Sequence, residues 1–83
     1  MKYGAKIEVS LKPGHSNPEG ETTARLLMEL GYKVQTVDVS KLYTVHLDAA
    51  SASEAKAKAE EMSKRLLANP TKDNYTISVV EEK

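Results

Sequence analysis

The sequence predicts an α+β domain in which one antiparallel sheet carries two helices on a single face, and three observations predict it. Apolar and polar residues alternate over residues 3–11, 34–39, 43–47 and 75–79, which is the period of half-buried strands. Between these runs, residues 24–31 and 52–68 place their apolar positions at helical spacing. The order is therefore strand, helix, strand, strand, helix, strand. Two such strand-helix-strand halves suggest a four-stranded antiparallel sheet with both helices on one face, the ferredoxin-like βαββαβ arrangement, as one domain over residues 1–83.

The first strand puts Tyr3, Ala5, Ile7, Val9 and Leu11 on one face, with Lys6, Glu8 and Ser10 between them. Pro13 has no N–H to donate and Gly14 can take positive φ, so the strand stops at Lys12. Asn17 or Ser16 can then cap a helix that opens with Pro18 and holds Glu19 and Glu21 in its first turn. Along that helix Ala24, Leu27 and Met28 share a stripe, Arg25 and Glu29 turn outward, and Gly31 is a natural stop. Val37 and Val39 then alternate with Thr36 and Asp38. Ser40-Lys41 stands where a tight turn is needed before Tyr43, Val45 and Leu47, so a hairpin is expected, with a turn pair weaker than Asn-Gly.

Ser51 and Glu54 have capping-box spacing at the start of the second helix. This helix, over residues 52–68, is expected to bury Ala55, Ala59, Met62 and Leu66. Its outer face carries the i,i+4 pairs Glu54–Lys58, Glu60–Lys64 and Glu61–Arg65, each contributing about 0.3 kcal/mol. Asn69-Pro70 ends it. A polar turn over residues 71–74 leads to a last strand with Tyr75, Ile77 and Val79 on one face, and residues 81–83 are expected to fray. The other sheet face, with Lys6, Glu8, Ser10, Thr44, His46, Thr76 and Ser78, is too polar for a second core layer but suits a wet subunit interface. In a ferredoxin-like sheet the second and fourth strands lie at the edges, where unpaired backbone can extend a sheet across a dimer.

Composition narrows the function. A chain of 83 residues buries only about 60–65% of its unfolded surface. With 40% hydrophobic residues, four Tyr and no Phe or Trp, its own core is thin, and self-association would recover stability. Twelve basic and twelve acidic residues cancel and are interspersed, which argues against a nucleic-acid or anionic-membrane surface. The absence of Cys excludes disulfides, thiol catalysis and Cys-based zinc sites. The first residues lead into a strand pattern with no apolar signal core, and no apolar run approaches a membrane span, so a soluble cytoplasmic protein is expected.

The sequence presents no nucleophile paired with a base. His46 and Asp48 share a strand face, but a metal needs at least one further ligand, and a solvated histidine on a polar face explains His46 as simply. Lys12-Pro13-Gly14 before a helix start could present backbone N–H groups to an anion, yet it lacks the phosphate-loop pattern; the alternatives are a rigid strand-to-helix turn and a contact loop for a protein partner. Met28 and Met62 fall on the apolar helix faces as core residues. Glu60 and Glu61 point about 100° apart and do not pair. The tyrosines lack the basic interleaving of an RNA-binding sheet.

Several short motifs occur in a specific order: Leu11-Lys12-Pro13-Gly14, Asn17-Pro18-Glu19-Gly20-Glu21, Leu30-Gly31-Tyr32, Val37-Asp38-Val39-Ser40-Lys41, and Leu66-Leu67-Ala68-Asn69-Pro70 with Tyr75. In that order and at this length they resemble the PurS type of small subunit of phosphoribosylformylglycinamidine synthase, over nearly the whole chain. The resemblance implies a subunit with no catalytic site of its own, in an ATP-dependent, glutamine-hydrolysing complex of de novo purine biosynthesis. It implies self-association as a dimer or higher oligomer, and partnership with a glutaminase subunit and a large ATP-dependent synthase subunit. It also implies help in handing ammonia between them as formylglycinamide ribonucleotide becomes its amidine. No cofactor is implied in this chain; ATP and Mg belong to the large subunit.

The residues that match the family motifs are Lys12, Pro13, Gly14, Asn17, Pro18, Gly20, Lys41, Asn69 and Pro70, as subunit contacts or as turn formers. The chain departs from the family pattern in having Asn17 for Asp, Ser40 for Gly, and Thr71-Lys72-Asp73-Asn74 for an apolar, acidic stretch. Asn caps as well as Asp, so the helix start is kept while a salt bridge from that position is lost. The alternative reading is a small-molecule-binding regulatory ferredoxin-like dimer.

Overall fold

A computed structural model describes residues 1–15 and 17–82. Alternating residues place β1 (Lys2–Leu11) at the centre of a three-stranded sheet, flanked by β2 (Lys41–Asp48) and β3 (Asp73–Glu82), both antiparallel to it. Ile7 is the register point, facing Tyr43 on one side and Ile77 on the other. One sheet face is covered by α2 (Ala52–Met62), so that Ala5, Ile7 and Val9 are buried with Ala59 and Ala68, bordered by Tyr43, Val45, Tyr75 and Ile77. Tyr3, Ala49 and Ala55 form a second, smaller cluster. The other face, from Lys6 and Glu8 to Thr44, Thr76 and Ser78, is exposed, as its polarity predicts.

The expected fourth strand does not form within the chain. Residues 34–39 are unpaired, and no turn closes at Ser40-Lys41. A two-residue hairpin turn of the favoured type needs positive φ, and no non-Gly residue among those described adopts it. The chain runs on into β2, and the hydroxyl of Ser40 bonds the Glu8 carboxylate at 2.9 Å. The first helix, α1 (Pro18–Glu29), consequently does not share the sheet face with α2; it has no substantial contact with the sheet or with α2. Only one helix covers the sheet of a single chain.

Instead, α1 and residues 32–39 form an arm. Asn17 caps α1, accepting from the Gly20 N–H at 3.0 Å, and its amide donates to the Val39 carbonyl at 3.3 Å. Ser16, the other cap considered, lies outside the described residues. The helix ends in a Schellman turn, with Gly31 at φ 99° donating to Met28 and Tyr32 donating to Leu27. The molecule measures 50 × 30 × 14 Å with a radius of gyration of 16.3 Å, where a compact chain of this length has about 12 Å.

The capping box at α2 forms: Ser51 Oγ accepts from Glu54 N–H at 3.2 Å, and the Glu54 carboxylate accepts from the Ala50 N–H at 3.3 Å. Glu54–Lys58 and Glu61–Arg65 close at 3.1 and 3.0 Å, whereas Glu60–Lys64 is not among the ion pairs of the described residues. The expected burial of Leu66 is corrected: it is 83% exposed. After Met62 the helix widens into a π turn, Ser63–Leu67, in which Ala68 N–H reaches the Ser63 carbonyl. The wider turn shifts the phase, so Ser63 and Leu67 face inward and Leu66 faces out. The last strand also runs further than expected. Glu81 and Glu82 pair opposite Tyr3 and Lys2, while Lys83 lies outside the described residues.

Candidate partner-binding end of the sheet

Where β1 ends and β2 and β3 begin, two turns meet the extended segment that enters β2. Lys12-Pro13-Gly14-His15 makes a turn closed by His15 N–H to the Lys12 carbonyl at 3.3 Å, with Gly14 at φ 90°, the residue types a type II turn needs. Lys12 N–H donates to the Lys72 carbonyl at 2.7 Å and Lys12 Nζ to the Pro70 carbonyl at 3.0 Å, so both ends of this lysine are tied to the turn before β3. In that turn the Asn69 side chain accepts from Thr71 N–H at 2.9 Å, and Asp73 Oδ2 accepts from Asn69 N–H at 2.8 Å. Residues 71–74, where the chain departs from the pattern of the family it resembles, are thus held by side-chain to backbone bonds of their own.

The structure brings all nine motif residues to this end. Lys12, Pro13, Gly14 and Asn17 line a polar cavity of about 480 Å³ with Glu8, His15, Asp38 and Ser40. Pro18 opens α1 beside Asn17, and Gly20 lies one turn on, buried against residue 37. Lys41 sits opposite Val9 on an adjoining cavity that also reaches Lys72 and Asp73, and Asn69-Pro70 opens the turn before β3. Pro13, Gly14, Lys41, Asn69 and Pro70 are exposed; Gly20 is not.

Away from this end, the sequence reading missed a partner for His46. Its Nδ1 lies 2.8 Å from Glu82 Oε2 across β1, and Gly4 between them leaves the path open, since a Cβ there would stand 3.2 Å from the Glu82 carboxyl carbon. The pairing of 46 with 4 and of 4 with 80 was the missing signal, because it exists only once the sheet is registered. Among the described residues no group of three or more His, Asp or Glu is placed to hold a metal ion, and no helix is long and apolar enough to cross a membrane.

A family model described as PurS, phosphoribosylformylglycinamidine (FGAM) synthase, matches residues 4–81. The chain belongs to the PurS family. Among its relatives, the phosphoribosylformylglycinamidine synthase subunit PurS of Methanothermobacter thermautotrophicus is 36% identical over 81 residues, covering 98% of this chain and 96% of that protein. The crystal structure of Methanocaldococcus jannaschii PurS, described as one of the subunits of formylglycinamide ribonucleotide amidotransferase in the purine biosynthetic pathway, superposes with a TM-score of 0.87. It is 36% identical and covers 98% of this chain and 99% of its own. Thermus thermophilus PurS gives a TM-score of 0.90 at 32% identity, each chain covered completely. PurS membership makes this chain a subunit of FGAM synthase, a ligase complex of purine biosynthesis. The fold these structures share is α+β with two helices and an antiparallel sheet.

Proposed function

We propose that this PurS chain is a non-catalytic adaptor, a single domain over residues 1–83 that self-associates and bridges the glutaminase and ATP-dependent synthase subunits of FGAM synthase. In this reading it helps ammonia released by the first reach the second, where formylglycinamide ribonucleotide is converted to its amidine. ATP and Mg act in the large subunit and none is required in this chain, and the complex works in the cytoplasm. The observation that supports the reading most is the meeting of two hydrogen-bonded turns and the start of α1 at one end of the sheet. There Lys12, Pro13, Gly14, Asn17, Pro18, Gly20, Lys41, Asn69 and Pro70 gather. Such an end is suited to shape complementarity with a protein surface. Ammonia is protonated or lost in bulk water, so an adaptor that closes an interface raises the rate without making or breaking a bond.

Reconstitution tests this. With glutaminase and large subunits present, leaving out this chain is expected to abolish glutamine-dependent amidine formation while ammonium-dependent formation by the large subunit persists. Lys41→Ala combined with Pro70→Ala is expected to weaken assembly. A full glutamine-dependent rate without the chain would defeat the proposal.

The cavity of about 480 Å³ at the same end favours a second reading, a regulatory module that binds a small molecule. A ligand at 100 times its dissociation constant adds about 2.7 kcal/mol, so amino acids and nucleotides that leave the melting temperature unmoved count against it.

A further inference from the structure

The ladder between β1 and β3 closes with Leu11 opposite Asp73, and one further bond carries it on, from the Lys12 N–H to the Lys72 carbonyl at 2.7 Å. It stops there because Pro13 has no N–H to give. Carried further on the same register, the two chains would set Gly14 opposite Pro70. The connection to Pro70 is made all the same, by a side chain: Lys12 Nζ donates to the Pro70 carbonyl at 3.0 Å. We infer that Lys12 is a positioning residue for subunit assembly. Its ammonium takes over from the ladder that Pro13 ends, and so holds the Lys12–His15 turn and the turn before β3 together as one contact surface for a partner subunit.

Three observations assign Lys12 to positioning and not to direct contact. The turn before β3 spends its donors on itself: the N–H groups of Lys72 and Asp73 reach the Asn69 carbonyl at 3.2 and 2.8 Å, that of Thr71 reaches the Asn69 side chain, and that of Asn69 reaches the Asp73 carboxylate. Pro70 has no N–H at all. What this turn offers its neighbour is therefore carbonyl oxygen, and Pro70 and Lys72 present theirs to the same lysine. An ammonium on a long stem supplies the missing donor, with the added strength of a charge. The second observation is exposure. Lys12 is partly buried, whereas Pro13, Gly14, Asn69 and Pro70 beside it are exposed, so an approaching surface meets the turns while the ammonium is already engaged within the chain. The third is topology. The Lys12–His15 turn leads into α1 and the other follows the π turn after α2, so this one side chain ties the root of the arm to the far end of the helix that covers the sheet. Two turns that could shift separately are recognised at less cost in ordering when they are already fixed to each other.

The role in assembly rests on the adaptor reading, while the tie itself is tested on the chain alone. Lys12→Met keeps the backbone N–H and most of the stem but removes the donor; Lys12→Arg keeps a cationic donor; Lys72→Met removes the same charge from an exposed side chain in the adjoining turn. Lys12 belongs to neither core cluster, so these changes leave the core intact. In the free chain, protection of the amides at positions 12, 72 and 73 from hydrogen exchange is expected to fall about tenfold in Lys12→Met, the worth of a hydrogen bond to a charged group, and to stay native in Lys12→Arg and Lys72→Met. Unchanged protection in Lys12→Met would overturn the tie. With the glutaminase and large subunits present, the concentration of this chain that gives half-maximal glutamine-dependent amidine formation is expected to rise about tenfold for Lys12→Met and to return with Lys12→Arg. A rise that Lys12→Arg leaves unrepaired would make Lys12 a direct contact and overturn the positioning role, and an equal rise in Lys72→Met would overturn it in favour of net charge. A full rate with no copy of this chain would remove the adaptor reading and the assembly role with it, and the exchange measurement would still decide the tie.

Discussion

A Cβ added at Gly20 would collide with the carbonyl oxygen of Val37, and Asn17 next to it bonds both the Gly20 N–H and the Val39 carbonyl. These two residues set how closely α1 lies on residues 34–39. Gly20→Ala is expected to destabilise the chain by about 1–3 kcal/mol through overpacking, read as a lower urea midpoint, while Glu21→Ala on the exposed side changes it by less than about 0.5 kcal/mol. Gly31 tests backbone conformation instead of space: its φ is 99° and nothing crowds it. Gly31→Ala is expected to cost roughly 1–2 kcal/mol, a fall in melting temperature of several degrees in a chain of this size. Gly31 was legible as a helix stop from sequence, because the stripe of Ala24, Leu27 and Met28 ends there. The reason for Gly20 was not, since the collision is with a residue seventeen positions on.

At the scale of elements, α2 is held at its start by side chains that the sequence announces. Glu54 is held below the ordinary carboxylate range first by its hydrogen bond with Lys58, then by the Ala50 N–H and by the Lys58 charge. A carboxylate depressed on folding contributes stability that is fully present above its unfolded value and lost as pH falls through its folded one. The stability gap between the native chain and Glu54→Gln is therefore expected to be widest near neutrality and to close in acid below pH 4.5, measured by denaturant melts at each pH. The other end of α2 was not legible. Ser63 is fully buried, its hydroxyl donating to the Ala59 carbonyl at 2.8 Å, and a polar residue inside a helix carries no sequence sign that it faces the core. Counting on at 3.6 residues per turn through a π turn puts Leu66 inside by mistake. The hairpin failed for a related reason. Alternation fixes which face a residue takes, but it is the same for a strand that folds back on its own chain and for one that pairs with another.

The whole molecule shows what its elements lack singly. Among the described residues, six of the nine buried hydrophobic ones are alanines, at positions 5, 24, 49, 55, 59 and 68, and Ile7 is the only large hydrophobic side chain completely inside. Burial is worth about 25 cal/mol per Å² of apolar surface, and alanines supply little of it. Meanwhile Leu30 and Leu66 are at least three-quarters exposed. Under the proposed self-association, covering those residues with another copy adds stability and couples folding to concentration. If unfolding dissociates a dimer, each tenfold rise in chain concentration stabilises the folded state by about 1.4 kcal/mol per dimer, enough to raise the melting temperature by a few degrees. Leu66→Glu places a charge in the open groove that Leu66 lines with Val45, Met62 and Leu67, without touching the core of its own chain, so it is expected to lower the melting temperature and to shift the mass in light scattering towards the monomer. A melting temperature that stays constant over a hundredfold range of concentration, with Leu66→Glu no different from the native chain, would show that one copy is sufficient to itself.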